Sequence, residues 1–258
     1  MRNAVLITGA SSGFGKEFAR IFAKENYDLI LVARSQDKLE ALARELKETH
    51  DIFVKIIVMD LSDPKSAQKI YENVKDAQLQ VEILINNAGF ASYGEFSALD
   101  LTEEVAQIQV NITTLTQLTK LFLPHMLEGK SGKILNVAST SAFLPGPLMA
   151  VYFATKAYVL SFTEALSEEL KGTGVSATAL CPGPSSTGFV KRAKLQKSRL
   201  FAGSVMDASR VAKIGYTGLM RGKTIIIPGF QNKLQTEAPR FLPRWIVRKV
   251  VKYAQRQA

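Results

Sequence analysis

"AVLITGASSGFGKEFARIFAKEN", residues 4–26, decides the fold. The apolar run 4–8 reads as a strand, and "GFGKEFARIFAKEN" reads as a helix. Between them Gly9, Gly13 and Gly15 let the backbone turn tightly and approach a diphosphate at the helix N-terminus. An ordinary Gly/Ser turn is the competing reading. The strand before and the helix after favour the dinucleotide-binding geometry, although the spacing G-x-x-x-G-x-G differs from the common G-x-G-x-x-G. The stretch "MRNAVLITGASSG" is expected to be a first strand rather than a signal peptide.

Outward from this stretch the pattern repeats. Runs at 29–33, 53–60, 82–87, 133–139, 175–181 and 223–229 are rich in Val, Ile and Leu with little alternation, as strands buried on both faces should be. Helical stretches such as "SQDKLEALARELKETH" lie between them. The expected fold is α/β: a doubly wound parallel sheet, Rossmann-like, in a single domain over 1–258. Residues 183–207 lack a clear strand pattern and are expected to form a substrate lid, and about 230–258 a basic C-terminal extension.

Composition narrows the class. The 258 residues, 47% of them hydrophobic, suffice for a full core. The lone Cys181 excludes an intramolecular disulfide and points to a reducing, cytoplasmic compartment. His50 and His125 stand far apart without partner cysteines, so no metal site is expected. No run reaches the ~18 apolar residues of a bilayer span. The net charge of +10 is concentrated: residues 188–206 hold five Lys/Arg and residues 240–258 hold six, both without an acid, and the remainder is near neutral. Such local stretches argue against nucleic acid, which asks for a more general basic surface.

Where the second strand ends, "LVARS", an acid would bind the 2′-hydroxyl of NAD. Ala33 stands there and Arg34 follows; its planar charged fork suits a 2′-phosphate, which favours NADP(H) over the alternative of an arginine that merely solvates a loop. Farther on, "YFATK" (152–156) puts Tyr152 and Lys156 on one helix face. Alone, that pair is as well explained by an exposed helix face.

Together these motifs resemble the short-chain dehydrogenase/reductase family, in its shorter, non-extended branch. They run in order: T-G-x-x-x-G-x-G from Thr8 to Gly15, Asp60 in "MDLS", "NNAG" (86–89), Asn111 in "VNI", Ser139 in "NVAS", Y-x-x-x-K from Tyr152 to Lys156, and "PGPSST" (182–187) ending at Thr187. The chain departs from the pattern after the last strand, where many relatives soon stop. The resemblance implies a catalytic set of Asn111, Ser139, Tyr152 and Lys156. It implies cofactor contacts from Thr8, Gly9, Ser11, Ser12, Gly13, Phe14, Gly15, Arg34, Asp60, Leu61, Asn87, Ala88, Gly89, Tyr152, Lys156, Pro182, Gly183 and Thr187. In those roles Tyr152 is the proton donor in ketone reduction, and Lys156 lowers its pKa and holds the nicotinamide ribose. Ser139 orients the substrate oxygen, and Asn111 holds a water that relays protons.

The expected reaction is hydride transfer between NADP(H) and a small-molecule carbonyl or alcohol. "AFLPGPLMAV" (142–151) borders the substrate in this family, and its Phe143, Leu144, Leu148 and Met149 suggest an apolar one; Tyr93 and Phe96 are candidates for the same cleft. The lid's cations would attract an anionic group if the substrate carries one. Cys181 reads as a packed thiol, not a nucleophile. A homodimer or homotetramer is implied, pairing through 102–128 and 151–171. From Pro243 a helix would gather Ile246, Val247, Val250, Val251 and Ala254 on one side and Arg248, Lys249, Lys252 and Arg256 on the other. That face packs on the protein or a partner subunit, or else makes peripheral membrane contact through 240–258. Besides the oxidoreductase, a non-catalytic NADP-binding protein and a membrane-surface protein on the same fold stay open.

Overall fold

A computed structural model describes residues 2–186 and 205–255. The expected lid falls mainly on 187–204, so the lid and Thr187 lie outside the described residues, as does Arg256.

Seven strands form one parallel sheet. Six are β1 (Arg2–Thr8), β2 (Asp28–Ala33), β3 (Val54–Val58), β4 (Leu79–Asn86), β5 (Gly132–Val137) and β6 (Val175–Leu180). A two-residue pair, β7 (Ser185–Ser186) with β8 (Met206–Asp207), stands apart, and β9 (Ile225–Ile226) closes the main sheet. The order is β3-β2-β1-β4-β5-β6-β9. The winding reverses between β1 and β4, and in such sheets the crevice beyond the strand C-termini at that point is where ligands bind.

The strands carry apolar side chains on both faces because both are covered. On one side lie α1 (Gly13–Lys24), α2 (Gln36–Thr49) and α7 (Ala208–Met220), with Phe18, Phe22, Leu39 and Val211 in the core. On the other lie α3 (Ser66–Asp76), α4 (Leu101–Ile108), α5 (Leu115–Glu128) and α6 (Ala150–Glu169), with Ile70, Leu118, Phe122 and Leu166 against Leu6 and Ile30. Burying each large apolar side chain contributes ~1.5–3 kcal/mol, and these two layers supply most of the drive to fold. Asp100 caps α4, accepting from the amides of Thr102 (2.7 Å) and Glu103 (3.1 Å). One π-helical turn, Gln109–Thr114, joins α4 to α5.

The expected last strand, 223–229, is cut to two residues. It pairs with β6 alone, and the chain leaves the sheet at Pro228 and Gly229, the latter at φ 91. From there α8 (Phe230–Glu237) and α9 (Arg244–Gln255) cross the sheet's C-terminal end. Among the described residues no helix is long and apolar enough to cross a membrane.

Candidate active site

A single cleft of about 1620 Å³ runs across the C-terminal ends of the strands. It exceeds the ~300–1,000 Å³ typical of small-ligand pockets, which leaves room for a dinucleotide and a second molecule.

The nucleotide end begins at the glycine loop. Gly9 and Gly13 have φ of 67 and 54, backbone that L side chains rarely adopt. Gly9, Ser11, Ser12, Gly13 and Phe14 line the cleft. Ser12 precedes α1 without capping it, and no acid sits in the helix's first turn, so the α1 N-terminus presents amides and positive potential. Thr8 and Gly15 lie behind this wall. The Thr8 hydroxyl donates to Ile85 O (3.3 Å) and accepts from the amides of Asn87 and Ala88 (3.0 Å each), while Asn87 Nδ2 donates to Thr8 O at 2.8 Å. These bonds lock the loops after β1 and β4 together. A Cβ on Gly15 would lie 2.4 Å from Gly9 O, so Gly15 is what lets α1 close onto the loop.

At the adenosine end Arg34 and Asp60 face each other, Nη1 to Oδ2 at 3.7 Å, both half-exposed. Asp60 also accepts from the Ser62 amide (2.9 Å) and hydroxyl (2.8 Å). Leu61 lines the cleft beside it, and so do Ser35 and Lys38 from the start of α2. Lys38 was missed by the sequence reading. Its signal was present, a second cation in the first turn of the helix that follows Arg34.

The candidate catalytic residues lie between β5 and α6. Helical spacing buries Tyr152, Thr155 and Lys156 on one face. Lys156 Nζ donates to Val137 O at 2.7 Å and sits 5.8 Å from the centre of the Tyr152 ring. The Ser139 hydroxyl is hydrogen-bonded to that of Tyr152 and is oriented by the Ser141 amide, which donates to it at 3.1 Å. Burial pushes Tyr152 up to about 12, against the pull of the Ser139 bond, and pushes Lys156 down to about 8. The expected lowering by Lys156 therefore does not set the direction of the Tyr152 shift: desolvation is the larger cause, and the Ser139 hydrogen bond pulls the other way. Burial likewise raises the Cys181 thiol to about 12, and Cys181 is fully enclosed, as expected of a packed cysteine.

Asn111 stands one layer back, in the π turn. Its Oδ1 accepts from the Phe90 amide (3.2 Å), and its Nδ2 donates to Phe90 O (3.0 Å) and Thr155 Oγ1 (3.1 Å). A Cβ on Gly89 would come within 3.1 Å of Asn111 Oδ1 and 3.4 Å of Lys156 Nζ, so the bare glycine leaves the two side chains converging beneath the cleft floor. A π turn inserts one residue per turn and is a common way of re-aiming a functional side chain.

At the expected substrate end Leu144, Met149 and Phe153 give the cleft an apolar stretch beside Tyr152, and Asn87, Ala88, Gly89, Pro182 and Gly183 line the same cleft. Of the other candidates, Phe143 packs into a separate core cluster, Phe96 is exposed, and Tyr93 packs against Met149 and Tyr152 while its hydroxyl donates to Gln255 O at 2.7 Å. The far wall comes from α8 and α9: Gln235, Val247, Val250, Val251 and Gln255. Gln255 is fully buried, and neither atom of its side-chain amide has a hydrogen-bond partner. Of the expected apolar side of α9, Val247 is buried, Ile246, Val251 and Ala254 are half-buried and Val250 is 58% exposed, while Arg248, Lys249 and Lys252 are exposed.

The cleft fits a dinucleotide cofactor. Glycines at Gly9, Gly13 and Gly89 open its floor, helix amides meet the diphosphate position, and Lys156 reaches the nicotinamide side. The family model described as short chain dehydrogenase matches residues 3–198. The chain is 32% identical over 254 residues to the very-long-chain 3-oxoacyl-CoA reductase of Mus musculus, covering 95% of this chain and 77% of that one. A short-chain dehydrogenase from Sphingobium yanoikuyae in complex with NADPH superposes with a TM-score of 0.84 at 31% identity, covering 100% of this chain and 98% of the other. A short-chain dehydrogenase/reductase from Burkholderia phymatum in complex with NAD shares the fold at a TM-score of 0.83 and 21% identity, over 100% and 96% of the two chains.

Proposed function

This chain belongs to the short-chain dehydrogenase family of oxidoreductases, and we propose that within it the protein is an NADPH-dependent reductase of a mainly apolar carbonyl compound. The observation that carries the reading is the convergence of Ser139, Tyr152 and Lys156 at one point of the cleft, with an apolar wall on one side and a glycine-lined groove on the other.

The cofactor supplies the hydride when bound. The protein's own part is to hold the carbonyl in line and deliver a proton. The Ser139 hydroxyl donates to the carbonyl oxygen and orients it. Tyr152, held protonated at neutral pH by its burial, donates its Oη proton to the same oxygen as negative charge builds there. Lys156 stabilises the resulting phenolate and would hold the nicotinamide ribose when the cofactor is bound. Asn111 holds the Phe90 loop against α6 and so keeps the Lys156 ammonium in register. Among the described residues no cluster of metal-ligating side chains occurs, and none of these roles calls on one.

Preference for NADPH is supported by Arg34 and Lys38, two cations at the adenosine end where a 2′-phosphate would lie. The apolar substrate end suits a hydrocarbon chain, which agrees in kind with the acyl substrate in the mouse relative's name. We assign the exposed Leu101, Val105 and Ile108 of α4 to a subunit interface. Sedimentation equilibrium at micromolar concentration should show a dimer or tetramer, and a monomer alone refutes that assignment. The functional test follows NADPH absorbance over a panel of aliphatic ketones, aldehydes and 3-oxoacyl thioesters. Turnover that rises with chain length supports the reading. NADPH binding without turnover of any member overturns it.

A further inference from the structure

The last two helices carry an outer surface that the cleft does not use. Phe230 is 83% exposed, Phe241 85%, Leu234 63% and Trp245 55%. A soluble surface rarely exposes so many large apolar side chains within so short a stretch of chain unless something covers them. Around them lie Arg240, Arg244, Arg248, Lys249 and Lys252, all exposed, and no acid occurs between Arg240 and Gln255. Glu237, just before, is paired with Arg240 at 2.9 Å, and Lys249 Nζ lies 5.3 Å from the centre of the Trp245 ring.

Charge selects the occupant. Two copies meeting face to face would bring one set of five cations against another, an arrangement that costs energy at every pair. A nucleic acid would satisfy the cations but leave the phenylalanines and leucine in water. An anionic bilayer satisfies both: headgroups take the cations, and the aromatic and aliphatic side chains enter the acyl boundary, with tryptophan at the interface. The same segment reaches the cleft: Leu242 and Val250, 45% and 58% exposed, line it as well.

We propose that the face formed by Phe230, Leu234, Phe241 and Trp245, with the cations around them, docks on the surface of an anionic lipid bilayer. The mouth of the substrate cleft then opens toward the acyl region, from which an apolar molecule can enter without crossing water. The docking is a property of the folded chain and does not depend on turnover.

Trp245 is the only tryptophan in the chain, so its fluorescence reports this face alone. The full chain is titrated with vesicles of phosphatidylcholine and with vesicles that also contain phosphatidylglycerol. The expected result is a blue shift and quenching by brominated acyl chains with the anionic vesicles, and about tenfold weaker partitioning onto neutral ones. The double variant Phe230→Ser/Phe241→Ser, and separately Arg248→Glu/Lys252→Glu, should each lower partitioning about tenfold or more. NADPH affinity in these variants should stay at the wild-type value, a check that they fold. Three results overturn the proposal: unchanged Trp245 emission with both vesicles, equal binding to neutral and anionic vesicles, or a lipid-independent blue shift that grows with protein concentration. The last would mean that a second copy covers the face. Brominated-lipid quenching of the wild type needs no variant and stands even if a variant misfolds.

Discussion

The two halves of the cleft are built from different materials. The nucleotide half is main chain: glycines with positive φ, helix-end amides, and loops locked by the Thr8 and Asn87 hydrogen bonds. Tolerances there are tight, as the 2.4 Å approach of a Cβ on Gly15 to Gly9 O shows. The substrate half is side chain: Leu144, Met149, Val247 and Val251, contributed by a loop and by a helix some hundred residues later and held by apolar packing. Close backbone approach admits few sequences, whereas an apolar wall admits many of similar volume. On the proposed reading, one half therefore sets which cofactor class is held, and the other is free to set which substrate enters.

The largest expected effect lies at the seam between the halves. Tyr152→Phe keeps the ring packed but removes the proton donor, so kcat should fall ~10²–10⁴-fold with NADPH affinity near wild type. Steady-state kinetics and cofactor titration check both. A loss of less than about tenfold, ~1.4 kcal/mol in barrier, would mean the seam is not where the chemistry happens.

Next is the pH dependence of stability at Lys156. Its folded pKa is about 8, below the ordinary 10.5, so between those values the unfolded chain binds the proton more readily. Stability from this group is therefore complete above 10.5 and is lost as pH falls through 8. Urea unfolding at pH 7.5 and pH 10 should show wild type gaining about 2–3 kcal/mol on Lys156→Met over that interval, at ~1.4 kcal/mol per pH unit. Tyr152 acts oppositely: its folded pKa is raised to about 12, so its contribution falls as pH rises from 10 to 12. A flat difference between wild type and variant would show that Lys156 is solvated in the folded state.

Within the nucleotide half, Arg34→Ala should cut the preference for NADPH over NADH by about tenfold, the value of one charge-assisted phosphate contact. The double variant with Lys38→Ala should abolish it. Calorimetric titration with both cofactors reads this, and an unchanged ratio moves the 2′-phosphate elsewhere. The smallest effect is expected in the substrate half. Gln255→Leu removes a buried amide that has no partner, so stability should hold or improve slightly. For apolar ketones KM should fall a few-fold at constant kcat, and for the same ketones carrying a terminal hydroxyl it should rise. Identical shifts for both series would remove Gln255 from substrate selection.

Much of this was legible in the residues, for a physical reason in each case. The strand, glycine turn and helix of 4–26 are contiguous, so local backbone geometry reads directly from spacing. Tyr152 and Lys156 share a face because four residues make roughly one helical turn. All of the expected strands appear within their runs or a few residues of them, the last one shortened, because a strand buried on both faces must be apolar throughout. The last is cut short where Pro228 and Gly229 take the chain off the sheet.

The sequence by itself determined the fold class, the family and the order of the motifs, since these depend on periodicity and on close approaches that only glycine permits. Tertiary structure decided what depends on distant segments meeting. It set Asn111 in a π turn behind Gly89, brought Asp60 against Arg34, and carried Gln255 to the cleft wall. It turned Val247 of α9 inward and left Trp245, Val250 and the nearby cations outside. It also reversed the expected shift of Tyr152, because the charge of a nearby lysine can be read from spacing, while the loss of water around both groups exists only once the sheet, α6 and the loops close over them.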